Sequence, residues 1–148
     1  MFAYCTSLTT APELPATTLT HSCYWSMFEG CTSLVTPPQI IATFVYEYFS
    51  CRYMFKNCTS LNSLPILSAT TLGSNCYESM FQGCTNIKLS TTKTGEYSIP
   101  YRIPIGGIGT DAATSGLTNM FTDTGGTFTG TPTINTTYYL SNTNSIVS

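Results

Sequence analysis

Charge is what this sequence has least of: five Lys and Arg face seven Asp and Glu in 148 residues, so 8% of the chain is charged and the net charge is -2. Such a chain has no basic surface with which to neutralise phosphates, which excludes nucleic acid and anionic lipid as its main partners. Solubility must rest on the hydroxyls and amides of Thr, Ser, Asn and Tyr. No apolar run approaches the roughly 18 residues that suggest a membrane span. No basic segment followed by an apolar run marks an export signal, so any such signal is expected outside this chain.

Histidine is almost absent, His21 being the single one, and it reads as a surface loop residue. The acids Glu13, Glu29, Glu47, Glu78, Glu96, Asp111 and Asp123 are scattered, without the recurring pair that glycoside hydrolysis uses. No base stands beside a nucleophile, so the chain reads as no enzyme. Also missing is any C-x-x-C pair: the closest of the seven cysteines, Cys51 and Cys58, are seven residues apart. Zinc sites need tighter clusters, so neither a metal nor another cofactor is expected. An odd cysteine count cannot pair completely within one chain. Buried thiols are the preferred reading, with Cys23–Cys31 or Cys76–Cys84 disulfides left open.

What the sequence does have is a repeat. Met1, Met27, Met54 and Met80 each open M-F-x-x-C-T, at spacings of 26, 27 and 26 residues. A fixed period of this length is the signature of a repeat architecture. Three units continue with Ser-Leu, then Pro12, Pro38 and Pro65, then Leu14, Ile40 and Leu67, then Ala16, Ala42 and Ala69. The fourth departs after Thr85. Cys5, Cys31, Cys58 and Cys84 recur at one position and form a candidate structural ladder.

Tyr24, Met27, Phe28 and Cys31 fall at i, i+3, i+4 and i+7, as do Tyr77, Met80, Phe81 and Cys84, which predicts the apolar stripe of a short helix. Gly30 and Gly83 sit where that helix would stop. The following TSLTTAP predicts an extended stretch that its proline closes. Each unit therefore reads as strand, loop and short helix. One unit cannot bury its own Phe, Met and Leu, so units must stack on a shared core.

The motif MFxxCTSLTxxPxLPATTLxxxCYxxMFxGC resembles the BspA-like family of leucine-rich repeats, found in bacterial surface proteins and related phage-borne proteins. The match covers residues 1 to about 87. The resemblance implies an α/β repeat solenoid, a short right-handed leucine-rich coil, exported and adhesive, without catalytic residues.

Residues 1–94 are thus expected to form the repeats, and 95–148 a β-rich C-terminal cap in which Met120-Phe121 is a decayed fifth unit. A cap would cover the open edge that a stack of strands leaves. In the second unit an inserted residue accompanies a crowd of aromatics, among them Phe44, Tyr46, Tyr48, Phe49 and Tyr53. Aromatics beside polar groups dominate binding surfaces, which makes these five a candidate contact patch; gap-filling behind the insertion is the competing explanation. GGIGTDAATSG at 106–116 resembles a phosphate loop but lacks the Gly-Lys-Ser/Thr ending, so a turn is expected.

Together these features point to a non-enzymatic surface module that binds a protein or glycan, at a cell or virion surface. The alternative is a spacer or assembly domain of a phage tail or surface fibre, meeting other subunits. MFAYCTSL lacks the Cys-Tyr half that precedes the later MF pairs, so Met1 is expected to be a repeat methionine at a fragmentary edge.

Overall fold

The computed structural model describes residues 1–45 and 48–147, with the side chain of Phe44 excepted. Among the described residues there is no helix. The expected strand, loop and helix per unit is therefore wrong, and with it the α/β class and the leucine-rich coil. The described residues form nine short strands: β1 (Thr18–Leu19), β2 (Phe44–Val45), β3 (Ser63–Pro65), β4 (Thr71–Leu72), β5 (Leu89–Ser90), β6 (Tyr97–Arg102), β7 (Thr110–Asp111), β8 (Thr137–Ser141) and β9 (Ser145–Val147).

Turns occupy the segments expected to be helical. From Thr20 to Cys31 every second amide donates three residues back: Trp25 N to Ser22 O at 3.3 Å, Met27 N to Tyr24 O at 3.2 Å, Glu29 N to Ser26 O at 3.2 Å. The intervening amides leave the unit altogether. Tyr24 N donates to Ser50 O, Ser26 N to Arg52 O, Phe28 N to Met54 O and Gly30 N to Lys56 O, all at 2.8 Å. The pattern recurs from the second unit to the third and from the third to residues 116–122. A helix would keep all these bonds inside one unit; here half of them join neighbouring units.

The backbone that permits this takes a left-handed residue at every fourth position: Ser22, Ser26 and Gly30, then Phe49, Tyr53 and Asn57, then Asn75, Ser79 and Gly83. A four-residue structural period brings i and i+4 to one face, as a helix does, which is why the apolar stripe imitated a helix. Glycine is required where the units meet most closely. A Cβ on Gly83 (φ +78°) would strike the Asn57 side chain, and one on Gly30 (φ +72°) the Tyr4 ring.

The strands complete the stack. β1, β2, β4 and β7 form one parallel sheet, with Thr18 opposite Phe44, Val45 opposite Leu72 and Thr71 opposite Thr110. Thr10 and Thr36 form an isolated parallel bridge, and β3 pairs in parallel with β9 in a separate two-stranded sheet. β5, β8 and β6 form an antiparallel sheet near the C-terminus. Asn144, at the turn between β8 and β9, accepts from Lys88 N at 3.0 Å and donates to Asn86 O at 2.9 Å, so its amide ties the fourth unit to the C-terminal strands.

The core runs through the stack as a column of phenylalanines. Phe2, Phe28, Phe55, Phe81 and Phe121 follow one another with near-parallel rings and centroids 5.5 to 5.6 Å apart. Met54, Met80 and Met120 are buried beside them, as are Leu34, Leu61 and Ile87. One buried polar group stands out: the Tyr77 hydroxyl is enclosed and lacks a hydrogen-bond partner among the described residues. An unpartnered buried hydroxyl costs about 1–3 kcal/mol. Tyr77→Phe is accordingly expected to unfold at higher denaturant concentration than the wild type; a loss of stability would show that the hydroxyl has a partner.

Candidate functional site

Two lines of cysteine run beside the phenylalanines. In the first, the Cys31 thiol donates to Phe2 O at 3.0 Å, Cys58 to Phe28 O at 3.1 Å and Cys84 to Phe55 O at 3.0 Å. Each thiol thus satisfies the carbonyl of the phenylalanine one unit earlier, a use of sulfur as donor that spacing alone could not reveal. Cys5 begins this line and is exposed. In the second line Cys51 and Cys76 are buried while Cys23 is exposed, and all seven are free thiols.

Burial disfavours the thiolate, so the five buried cysteines are poor nucleophiles. Cys58 and Cys76 are pushed up to about 12, from an ordinary value of 9.0, chiefly by desolvation. Between those two values the unfolded chain has lost protons that the folded chain keeps. Stability from these thiols is therefore complete below pH about 9 and declines as pH rises towards about 12. Alkaline unfolding over that window is expected, and Cys58→Ala should flatten it. In native protein at neutral pH a thiol reagent should label Cys5 and Cys23 first, and all seven only after denaturation. Early labelling of Cys58 or Cys84 would contradict this placement.

Among the described residues no three His, Cys, Asp or Glu side chains gather as a metal site would require. Among the same residues no helix is long and apolar enough to cross a membrane. The loop that resembles a phosphate cradle is closed from within: the Asp111 carboxylate accepts from Gly116 N at 3.1 and 3.0 Å, and places a negative charge where a phosphate would have to sit.

The aromatic patch gathers on the turn side of the first three units. Of the five residues expected there, Tyr46 lies outside the described residues, as does the side chain of Phe44. Tyr48 is 55% exposed, and Phe49 and Tyr53 are half-buried. Around them the stack assembles residues that the sequence reading did not include. Trp25, 42% exposed, lies with its ring centroid 5.7 Å from that of Phe49, and His21 stands edge-on to both Tyr48 and Phe49 at 6.3 Å.

Arg52 organises the group. Its guanidinium carbon lies 4.4 Å from the Tyr53 ring centroid, 4.9 Å from that of Phe49 and 5.5 Å from that of Trp25. Its Nη2 donates to the Tyr53 hydroxyl at 2.8 Å, while Nε lies 2.8 Å from Glu78 Oε2. Lys56 Nζ stands 4.5 Å from the Tyr53 centroid. Such cation–π contacts contribute about 0.5–2 kcal/mol each, rising as water is excluded. The surface is thus held rigid by contacts among its own side chains. Trp25, Arg52 and Glu78 occupy the same repeat position in successive units, two residues before Met27, Met54 and Met80. That register was the signal available in the sequence for adding Trp25 and Arg52 to the patch.

A different face carries an open groove of about 470 Å³ between Pro12–Pro15 and Pro38–Ile41. It is open to solvent and its lining is mixed polar and apolar, with Glu13 the one charged residue among those that line it.

No family model, curated protein or solved structure matches this chain.

Proposed function

We propose that the chain is a non-enzymatic recognition module that holds a protein or glycan partner against the Trp25, Tyr48, Phe49, Arg52 and Tyr53 surface. The observation that carries this reading is Arg52, fixed by three rings and Glu78 beside an exposed Trp and Tyr. Rings and arginine already ordered before contact lose little entropy on binding, and these residue types dominate binding hot spots. The resemblance of the M-F-x-x-C-T-S-L units to BspA-like repeats supports an adhesive role at a cell or virion surface. The experiment is a glycan array run beside a pull-down against host extracellular proteins, with the full chain and with Arg52→Ala. Binding that Arg52→Ala weakens supports the reading; a blank in both assays sinks it.

A second reading, a spacer or assembly domain of a phage tail or surface fibre, is favoured by the cysteines. Seven free thiols, five of them buried, suit a chain that folds in a reducing compartment and assembles with other subunits there. A stable trimer or higher oligomer in solution would favour this reading, and a monomer the recognition module.

A further inference from the structure

We infer that the ligand of the aromatic surface is a neutral carbohydrate, a pyranoside ring that lays its C–H face on Trp25 and Tyr48. This inference rests on the recognition reading above and narrows it from protein or glycan to glycan.

Three features carry it. The first is shape and chemistry: Trp25 and Tyr48 are exposed and joined through a run of ring contacts, half-buried Phe49 lying against Trp25 and the polar His21 ring standing edge-on to both Phe49 and Tyr48. Aromatic faces are apolar and electron-rich. The C–H face of a pyranose is apolar and electron-poor, while its hydroxyls project from the rim, where His21, beside Tyr48 and Phe49, and Lys56, beside Tyr53, offer hydrogen-bonding groups.

The second feature is charge. Arg52 is paired with Glu78, and Lys56 and Glu29 occupy the same position in successive units. Among the described residues of this surface two cations meet two carboxylates, a balance that does not favour phosphate, sulfate or a carboxylate-bearing sugar.

The third is rigidity. Small, weakly hydrophobic ligands gain little from burial, so a site for them must be ordered in advance. Arg52 locks Phe49, Tyr53 and Trp25 in place before any ligand arrives.

The chain supplies its own reporter, because Trp25 is its single tryptophan. Methyl β-galactoside, methyl α-mannoside, chitotriose and sialyllactose are titrated into the full chain while tryptophan emission is followed. Trp25→Ala and Tyr48→Ala are then compared with wild type on a glycan array, with melting curves as the folding control. The expected result is a saturable emission change with at least one neutral saccharide, and a tenfold or greater loss of array binding in both variants at a temperature where the melting curves show each still folded. Should Trp25→Ala fail to fold, Trp25→Phe, which keeps a ring, is expected to retain part of the binding. Three outcomes overturn the inference: no saccharide binds while a protein is captured through Arg52; only sialylated glycans bind; or glycan binding ignores Trp25 and Tyr48. The first of these leaves the recognition module standing, whereas blanks for both ligand classes remove that as well.

Discussion

Phe55→Ala is expected to lower stability by about 3–5 kcal/mol, the range seen when a large aromatic is deleted from a packed core. Phe55 is fully buried, and its ring lies between those of Phe28 and Phe81, each 5.5 Å away and within 7° of parallel. Rings at this separation gain from offset stacking as well as from leaving water. The gap left by alanine would have a ring on both sides and no neighbour free to move in, since backbone hydrogen bonds hold the adjacent units at fixed spacing. A single domain has about 5–15 kcal/mol of stability in all, so this one substitution removes a large share. Phe2 provides the comparison, because among the described residues it stacks on Phe28 alone, and it is half-buried. Phe2→Ala should cost about 1–2 kcal/mol. Urea titrations of both variants check this, and equal losses would mean that the phenylalanine column is not the core.

The second large effect is expected at Asn144, a buried polar residue outside the repeats. Asn144→Leu keeps the approximate volume but leaves Lys88 N and Asn86 O without the side-chain partners they now have at 3.0 and 2.9 Å. Stranding such groups costs about 2–3 kcal/mol, the part-buried setting holding the figure below that of a sealed core. The loss should be local before it is global. β9 pairs with β3 through Ser63–Ser145, Leu64–Ile146 and Pro65–Val147, and Ile66 N donates to Val147 O. Amide exchange at Ile66 should therefore accelerate in the variant while exchange at Phe55 changes little. Uniform acceleration, or none, would show that Asn144 does not tie the C-terminal strands to the repeats.

These two residues mark how much was legible in sequence. The phenylalanine was: a residue recurring with every M-F-x-x-C-T announces a shared core, and the period alone shows that units must stack. Asn144 was not, because a side chain that completes another unit's backbone hydrogen bonds leaves no periodic trace. The local structure of each unit was misread for a definite physical reason. Tyr77, Met80, Phe81 and Cys84 are all buried, as a helical stripe would be, yet the spacing comes from turns that repeat every four residues. Asn75, Ser79 and Gly83 carry the distinguishing signal, since small or polar residues at four-residue spacing can enter the left-handed region at low cost. In the second unit Phe49 and Tyr53 take those positions and hide the pattern.

The same two residues explain why the aromatic surface was half visible. Phe49 and Tyr53 drew attention as part of a cluster in sequence. Their left-handed backbone turns them towards Arg52, and only the stack brings Trp25 and His21, more than 20 residues earlier in the chain, alongside.

The central claim is that the segments before and through each Met-Phe are hydrogen-bonded turns joining unit to unit, and that this helix-free stack positions the aromatic surface. Backbone carbon chemical shifts in solution test it most directly. Over residues 22–30, 49–57 and 75–83 they should show left-handed values at every fourth residue, at Ser26, Tyr53 and Ser79 among others. An unbroken run of α-helical shifts through any of these segments would contradict the account.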